Sequence, residues 1–188
     1  MENANAQVQI SAEMTPNPNT LKFAVNRKFL EAGGLDFPDK ETAQKSIMAA
    51  RLFEMKEVTG VFVGTNFITV TREPKTDWNA LVPRVVESIK AVLATGEPIV
   101  QPEVAATATS AAADPIGSKI REILDREIRP AVAMDGGDIT FLGYKDGIVT
   151  LHLKGSCSSC PSSIMTLKMG VENRLKASIP EVKEVVQV

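Results

Sequence analysis

Residues 96–114, GEPIVQPEVAATATSAAAD, carry three charges (Glu97, Glu103, Asp114) and no sustained apolar period. A chain that passes through such a stretch does not wrap its 188 residues around a single core. Pro98 and Pro102 favour extended backbone, and the Ala/Thr/Ser run offers little to bury. The stretch reads as a flexible linker. It leaves residues 1–95 and 115–188 to form two small domains, each near the lower end of the usual size range.

Each side has its own periodic pattern. Val8–Glu13 reads as a strand, followed by the turn-rich Thr15-Pro16-Asn17-Pro18-Asn19. In Thr20–Val25, Leu21, Phe23 and Val25 alternate with Lys22 and Ala24, the signature of a half-buried strand. Gly33-Gly34 and Phe37-Pro38 punctuate a loop. Residues 40–55 read as one helix on the spacing of Met48, Leu52 and Met55. Val58–Val63 and Phe67–Thr71 flank Gly64-Thr65-Asn66 as a hairpin. Leu81, Val85, Ile89 and Val92/Leu93 then mark a helix over 78–93, and Pro83 predicts a bent or late first turn. About four strands and two helices are expected before the linker.

Beyond the linker, Asp114-Pro115 reads as an N-cap with proline at the first helical position. Ile116, Ile120, Ile123/Leu124 and Ile128 trace a helix face that Pro130 is expected to end. Asp135-Gly136-Gly137-Asp138 reads as a turn. Strands Ile139–Tyr144 and Ile148–Leu153 join through Lys145-Asp146-Gly147. Pro161 opens a helix carrying Ile164, Leu167, Val171 and Leu175, and Val182–Val188 can close the sheet. The fold class expected is α+β: two small mixed α/β domains joined by a flexible linker, the second in the order helix, strand, strand, helix, strand.

Charge excludes several functions. Residues 1–97 hold 11 basic and 12 acidic side chains, and residues 98–188 hold 10 and 11. No basic arm is available to neutralise phosphates, so nucleic-acid binding is not expected. One Trp and one Tyr give few platforms for base stacking, although seven Phe remain. Apolar runs fall far short of the ~20 residues of a membrane span. Residues 1–20 have neither the character of a secretory signal nor that of an Arg-rich transit peptide. A cytoplasmic location is expected, because thiols there stay reduced and available to metal.

Those thiols are Cys157 and Cys160, the only two cysteines, set as Cys-Ser-Ser-Cys-Pro. Two intervening residues let both sulfurs face one point, a metal centre or each other. A single pair gives two ligands where iron–sulfur clusters and structural zinc usually take four. Either this is a redox dithiol, or a second copy of the chain completes the site. Placement at a helix N-terminus stabilises thiolate over thiol, which serves both chemistries. Thioredoxin-type motifs follow a strand within a βαβ pattern and often have an aromatic flank, whereas here a hairpin arm precedes and both intervening residues are serine. Gly155, Ser156, Ser158 and Ser159 are small enough to admit a cluster or a second subunit.

Other features carry less. His152, the only histidine, is out of phase with Leu151 and Leu153 and is expected to face solvent rather than metal. Asp135 and Asp138 read as turn or cap residues rather than a cation site. Met165 and Met169, four apart on the last helix, read as core or interface packing. No nucleophile triad, acid–base carboxylate pair with a nearby His or phosphate-cradling glycine loop is present.

Pro130, Gly136-Gly137-Asp138-Ile139 and Gly155–Pro161 together give the second half a clear likeness: it resembles the NifU C-terminal-type domain. Thr15-Pro16-Asn17-Pro18-Asn19-Thr20-Leu21-Lys22-Phe23 and Gly64-Thr65-Asn66-Phe67-Ile68-Thr69-Val70 resemble the N-terminal domain of Nfu-type proteins. The resemblance implies a non-enzymatic iron–sulfur cluster scaffold or carrier. It implies that Cys157 and Cys160 from each of two chains hold one bridging cluster, 4Fe–4S with 2Fe–2S as the lesser alternative. The implied partners are apo iron–sulfur proteins as acceptors, the upstream assembly machinery, and a second copy of the chain. The first domain, without Cys or His, is then expected to recognise acceptors. The competing readings are a thiol–disulfide oxidoreductase using the same pair and a zinc-bridged binding module.

Overall fold

The computed structural model describes residues 8–31, 33–99, 115–158 and 161–188, with the backbone alone over 161–163. The proposed cap at Asp114, most of the linker, and Cys160 lie outside the described residues.

The first unit is an antiparallel sheet in the order β1-β2-β5-β4-β3. Its strands are β1 (Ile10–Met14), β2 (Thr20–Val25), β3 (Leu35–Phe37), β4 (Val58–Val63) and β5 (Phe67–Arg72). The three-residue edge strand β3 falls where a loop was expected. The helix expected over 40–55 is two helices, α1 (Lys40–Ala43) and α2 (Ile47–Leu52). Ser46 divides them: its backbone is extended and its side chain accepts from Ala49 N–H, so local capping overrides the apolar period. The same hydroxyl donates to Ile99 O at 2.6 Å, and Ile99 is buried against the first core. Ser46→Ala is therefore expected to cost about 1 kcal/mol in urea unfolding, with no change at the cysteines.

Helix α3 (Trp78–Ala94) starts on time, capped by Asp77, and runs through Pro83. Pro83 and Asn79 are both exposed, so the carbonyl left without its helical partner meets water rather than a core. Leu81, Val85 and Ile89 on α3 and Met48 and Leu52 on α2 cover one face of the sheet, against Phe23, Val61, Val63, Ile68 and Val70. The register pairs Lys22 and Phe62 with Thr69, and Ala24 with Phe67, so these residues look out from the other face.

In the second unit, α4 (Pro115–Ile123) passes through a π turn (Leu124–Ile128) into α5 (Arg129–Met134). Pro130 does not end the helical path. A proline ring clashes with the carbonyl four residues back, and the wider turn before it relieves that clash. Pro130 then sits in the first turn of α5, where a missing N–H costs nothing.

Strands β6 (Gly137–Lys145) and β7 (Ile148–Gly155) form the expected hairpin, closed through Asp146 and Gly147 with φ of 54° and 91°. Helix α6 (Pro161–Ser178) crosses over to β8 (Glu184–Gln187), which pairs parallel to β7. A second core, including Ile120, Ile139, Leu151, Leu153, Val171 and Leu175, lies between this sheet and its helices. Helix-strand-strand-helix-strand is thus the order observed, its first helix divided by the π turn, and the chain is α+β with two mixed units.

Candidate metal centre

Strand β7 ends at Gly155, whose φ of 67° turns the chain away from the sheet. The loop that follows is fastened from below. Ser158 donates from N and Oγ to Gly155 O at 3.2 and 2.8 Å. Ser156 N donates to Gly136 O at 3.2 Å, and Ser156 Oγ donates to Asp135 O. The Asp135-Gly136-Gly137 turn is therefore a seat for the cysteine loop, a role that reading it as a bare turn did not assign.

Cys157 follows at once and points inward, 4% exposed and packed with the second core. Its Sγ lies 3.8 Å from Ser156 Oγ. A Cβ at position 137 would stand 2.8 Å from that sulfur and 2.7 Å from Lys154 O, so only glycine leaves the thiol its place. Cys160 lies outside the described residues, and α6 begins directly after it. Among the described residues no three His, Cys, Asp or Glu side chains converge on one point.

Two buried carboxylates stand nearby. Asp138 pairs with Arg129, Oδ1 to Nε 2.9 Å, although Nε–H makes no aligned hydrogen bond. Burial pushes the Asp138 carboxyl above the ordinary range, against the pull of Arg129. Its partner is a guanidinium, and Asp138 lies on β6 rather than in the turn or cap expected of it. Asp36, on β3, is likewise raised, chiefly by burial, with the Gly155 N–H, Lys154 and His152 offsetting part.

A group raised in this way adds stability that is fully present below the ordinary value of 3.8 and is lost as pH rises through the raised one. Asp36→Asn is expected to unfold at higher urea than wild type at neutral pH. That gap should close as pH falls towards 3.8. Paired urea titrations check it.

His152 is on the face of β7 opposite Leu151 and Leu153, as its phase requires, but it is half-buried rather than open to solvent. That face of the hairpin meets the first unit, close enough for His152 to act on Asp36. Met165 and Met169 do not join the core: they are 63% and 60% exposed.

The residues that sequence reasoning missed come from the first unit. Thr69 Oγ1 donates to Gly136 O at 2.7 Å, and Asn17 Nδ2 to Ser156 O at 3.4 Å. Gly155 N donates to Asp36 Oδ1 at 3.4 Å, and Lys22 Nζ to Met134 O at 3.3 Å. Three of these four acceptors are backbone carbonyls, which any sequence would supply. The only advance signal was a turn rich in Thr and Asn but without charge.

The chain is thus a two-unit α+β protein with a cysteine loop between a hairpin and a helix N-terminus. Residues 10–96 match the family described as "Scaffold protein Nfu/NifU N terminal", and residues 120–186 match the "NifU-like domain". The human protein named "NFU1 iron-sulfur cluster scaffold homolog, mitochondrial" is 46% identical over 181 residues, 95% of this chain and 71% of that protein. The protein of the same name from Drosophila sechellia is 45% identical over 183 residues, 95% of this chain and 64% of its own length. A solution NMR structure of a NifU-like protein from Saccharomyces cerevisiae overlays on 54% of this chain and 93% of its own, at 23% identity and a TM-score of 0.48. The chain belongs to the Nfu family. The cytoplasmic location expected from the sequence is overturned by these relatives, which are mitochondrial by name. The expectation that thiols stay reduced suits any reducing compartment and does not choose among them.

Proposed function

We propose that this protein is an iron–sulfur cluster scaffold that holds a 4Fe–4S cluster between two chains and passes it to apo-proteins. Each chain contributes Cys157 and Cys160, so four thiolates enclose one cluster. The observation that carries this reading is the thiol count against the family: two cysteines per chain, in a family whose relatives are named iron–sulfur cluster scaffolds. The small residues beside Cys157 suit a cluster, because Gly155, Ser156 and Ser158 bring no bulk to the loop. The cluster is cargo. A site at a subunit seam lets acceptor thiolates replace donor thiolates one at a time.

Residues 115–188 are the cluster-binding domain, residues 1–95 the N-terminal domain and residues 96–114 the linker. The first domain has no Cys or His, so its part in transfer is to hold acceptors, and the linker raises the local concentration of cluster beside them.

Anaerobic reconstitution with iron and sulfide, followed by sizing and metal analysis, tests the reading. Iron and sulfide in a dimer, with the metal-free protein a monomer, is the expected result. A loaded monomer without added thiol overturns the bridging arrangement. Zinc in place of iron and sulfide in anaerobically purified protein overturns the cargo.

A further inference from the structure

The first unit reaches the cysteine loop at two successive residues, and both immediately precede Cys157. Asn17 binds Ser156 O, and Asp36 binds Gly155 N. Thr69 holds Gly136 O, the same carbonyl that receives Ser156 N. Phe62 closes the contact: a Cβ at Gly155 would stand 3.1 Å from its Cγ. The loop is thus gripped between its own Gly136 seat and the outward face of the first sheet. In that grip Cys157 faces the second core, 4% exposed. A sulfur so placed does not meet a ligand shared with another chain.

We propose that the first unit is a latch on the cysteine loop: docked, it keeps Cys157 turned into its own domain, and cluster bridging requires it to let go. The proposal rests on the bridging reading only for what the release serves, since the contacts that form the latch involve protein atoms alone. Its parts are Thr69, Asn17 and Asp36 on one side and the Gly136 and Gly155–Ser156 backbone on the other. It gives the first unit a second role besides holding acceptors: an acceptor that occupies the outward face of the sheet would free the loop beside it.

The test uses the full chain with Cys160→Ser, so that alkylation by iodoacetamide reports Cys157 alone. Reaction of a buried thiol tracks the population of the opened form. Thr69→Val keeps shape and strand propensity but removes the hydroxyl. Asn17→Asp keeps the acceptor oxygen that receives Asn19 N–H and turns the donor into a carboxylate facing Ser156 O. Together they should raise the alkylation rate on the order of tenfold, as expected for the loss of two ordinary hydrogen bonds. An unchanged rate in a folded double variant overturns the latch.

A second measurement needs no variant. Cluster-free wild type should show nuclear Overhauser contacts between the Phe62 ring and Gly155, and the loaded dimer should lose them. Their absence from cluster-free protein, or their survival in the loaded dimer, overturns the proposal. The thiol and cluster-free readouts do not involve cargo, so failure of cluster assembly would sink the bridging reading and leave the latch to be judged on its own.

Discussion

Serine in place of Cys157 is expected to abolish cluster retention and return the reconstituted protein to a monomer. Serine is a near match in size, so the change tests chemistry rather than space. Its hydroxyl does not ionise at neutral pH, whereas a thiol can give up its proton to a metal, and the thiolate is the form that ligates. On the proposed bridging arrangement, two thiolates would disappear from each dimer, one per chain. The loss in cluster affinity should be roughly 100-fold or more, at or beyond the upper end of what outer-shell changes cost a metal site. Iron and sulfide per dimer, read beside the elution volume, check it. Because Cys157 is packed in the second core, circular dichroism of the variant belongs in the same experiment. A native spectrum with the cluster lost is the expected pair of results.

Gly155→Ala should have the largest effect on stability of any single methyl added near the site. The backbone there has φ of 67°, a region that side chains rarely adopt. The new methyl would also stand 2.7 Å from Gly136 O and 3.1 Å from Gly137 Cα, both backbone atoms with nowhere to go. The expected cost is about 2–4 kcal/mol, a fall in melting temperature on the order of 10 °C or more for a unit of this size. Gly143→Ala supplies the control. Nothing lies within 4 Å of its Cβ, so it should stay within about 0.5 kcal/mol of wild type. Equal melting temperatures for the two variants would mean that the Gly155 turn is not held as described.

The sequence made the regular elements plain where one physical rule acted alone. Strand β2 matches its expected bounds because alternation there meets no competing signal. The hairpin at Asp146-Gly147 follows from the left-handed preference of those two residues. Where two rules met, neither won consistently. Ser46 capped a new helix in the middle of an apolar period, and a π turn carried the chain past Pro130 instead of ending it. Strand β3 is too short for any period to show.

At the site, the cysteine spacing announced a paired ligand, and the family likeness supplied the reading of it. The seat under the loop and the grip from Thr69, Asn17 and Asp36 were not legible. Such contacts depend on where two sheets meet, and their acceptors are mostly main-chain atoms that leave no trace in residue identity.

The parallel pairing of β7 with β8 also has a consequence in time. Strand β7 has one neighbour in β6 and the other in a strand that lies beyond the whole of α6. During synthesis, then, Cys157 and Cys160 leave the ribosome before the strand that completes their sheet. Twenty-six residues lie between Cys160 and Gln187, about 1–5 s of elongation at ordinary rates. Over that interval the thiols emerge on a hairpin still missing its third strand, while the first unit has had time to fold. A newborn chain therefore presents Cys157 to passing oxidants or metals before the domain that buries it is complete, and the surface that would first receive the nascent loop is already built.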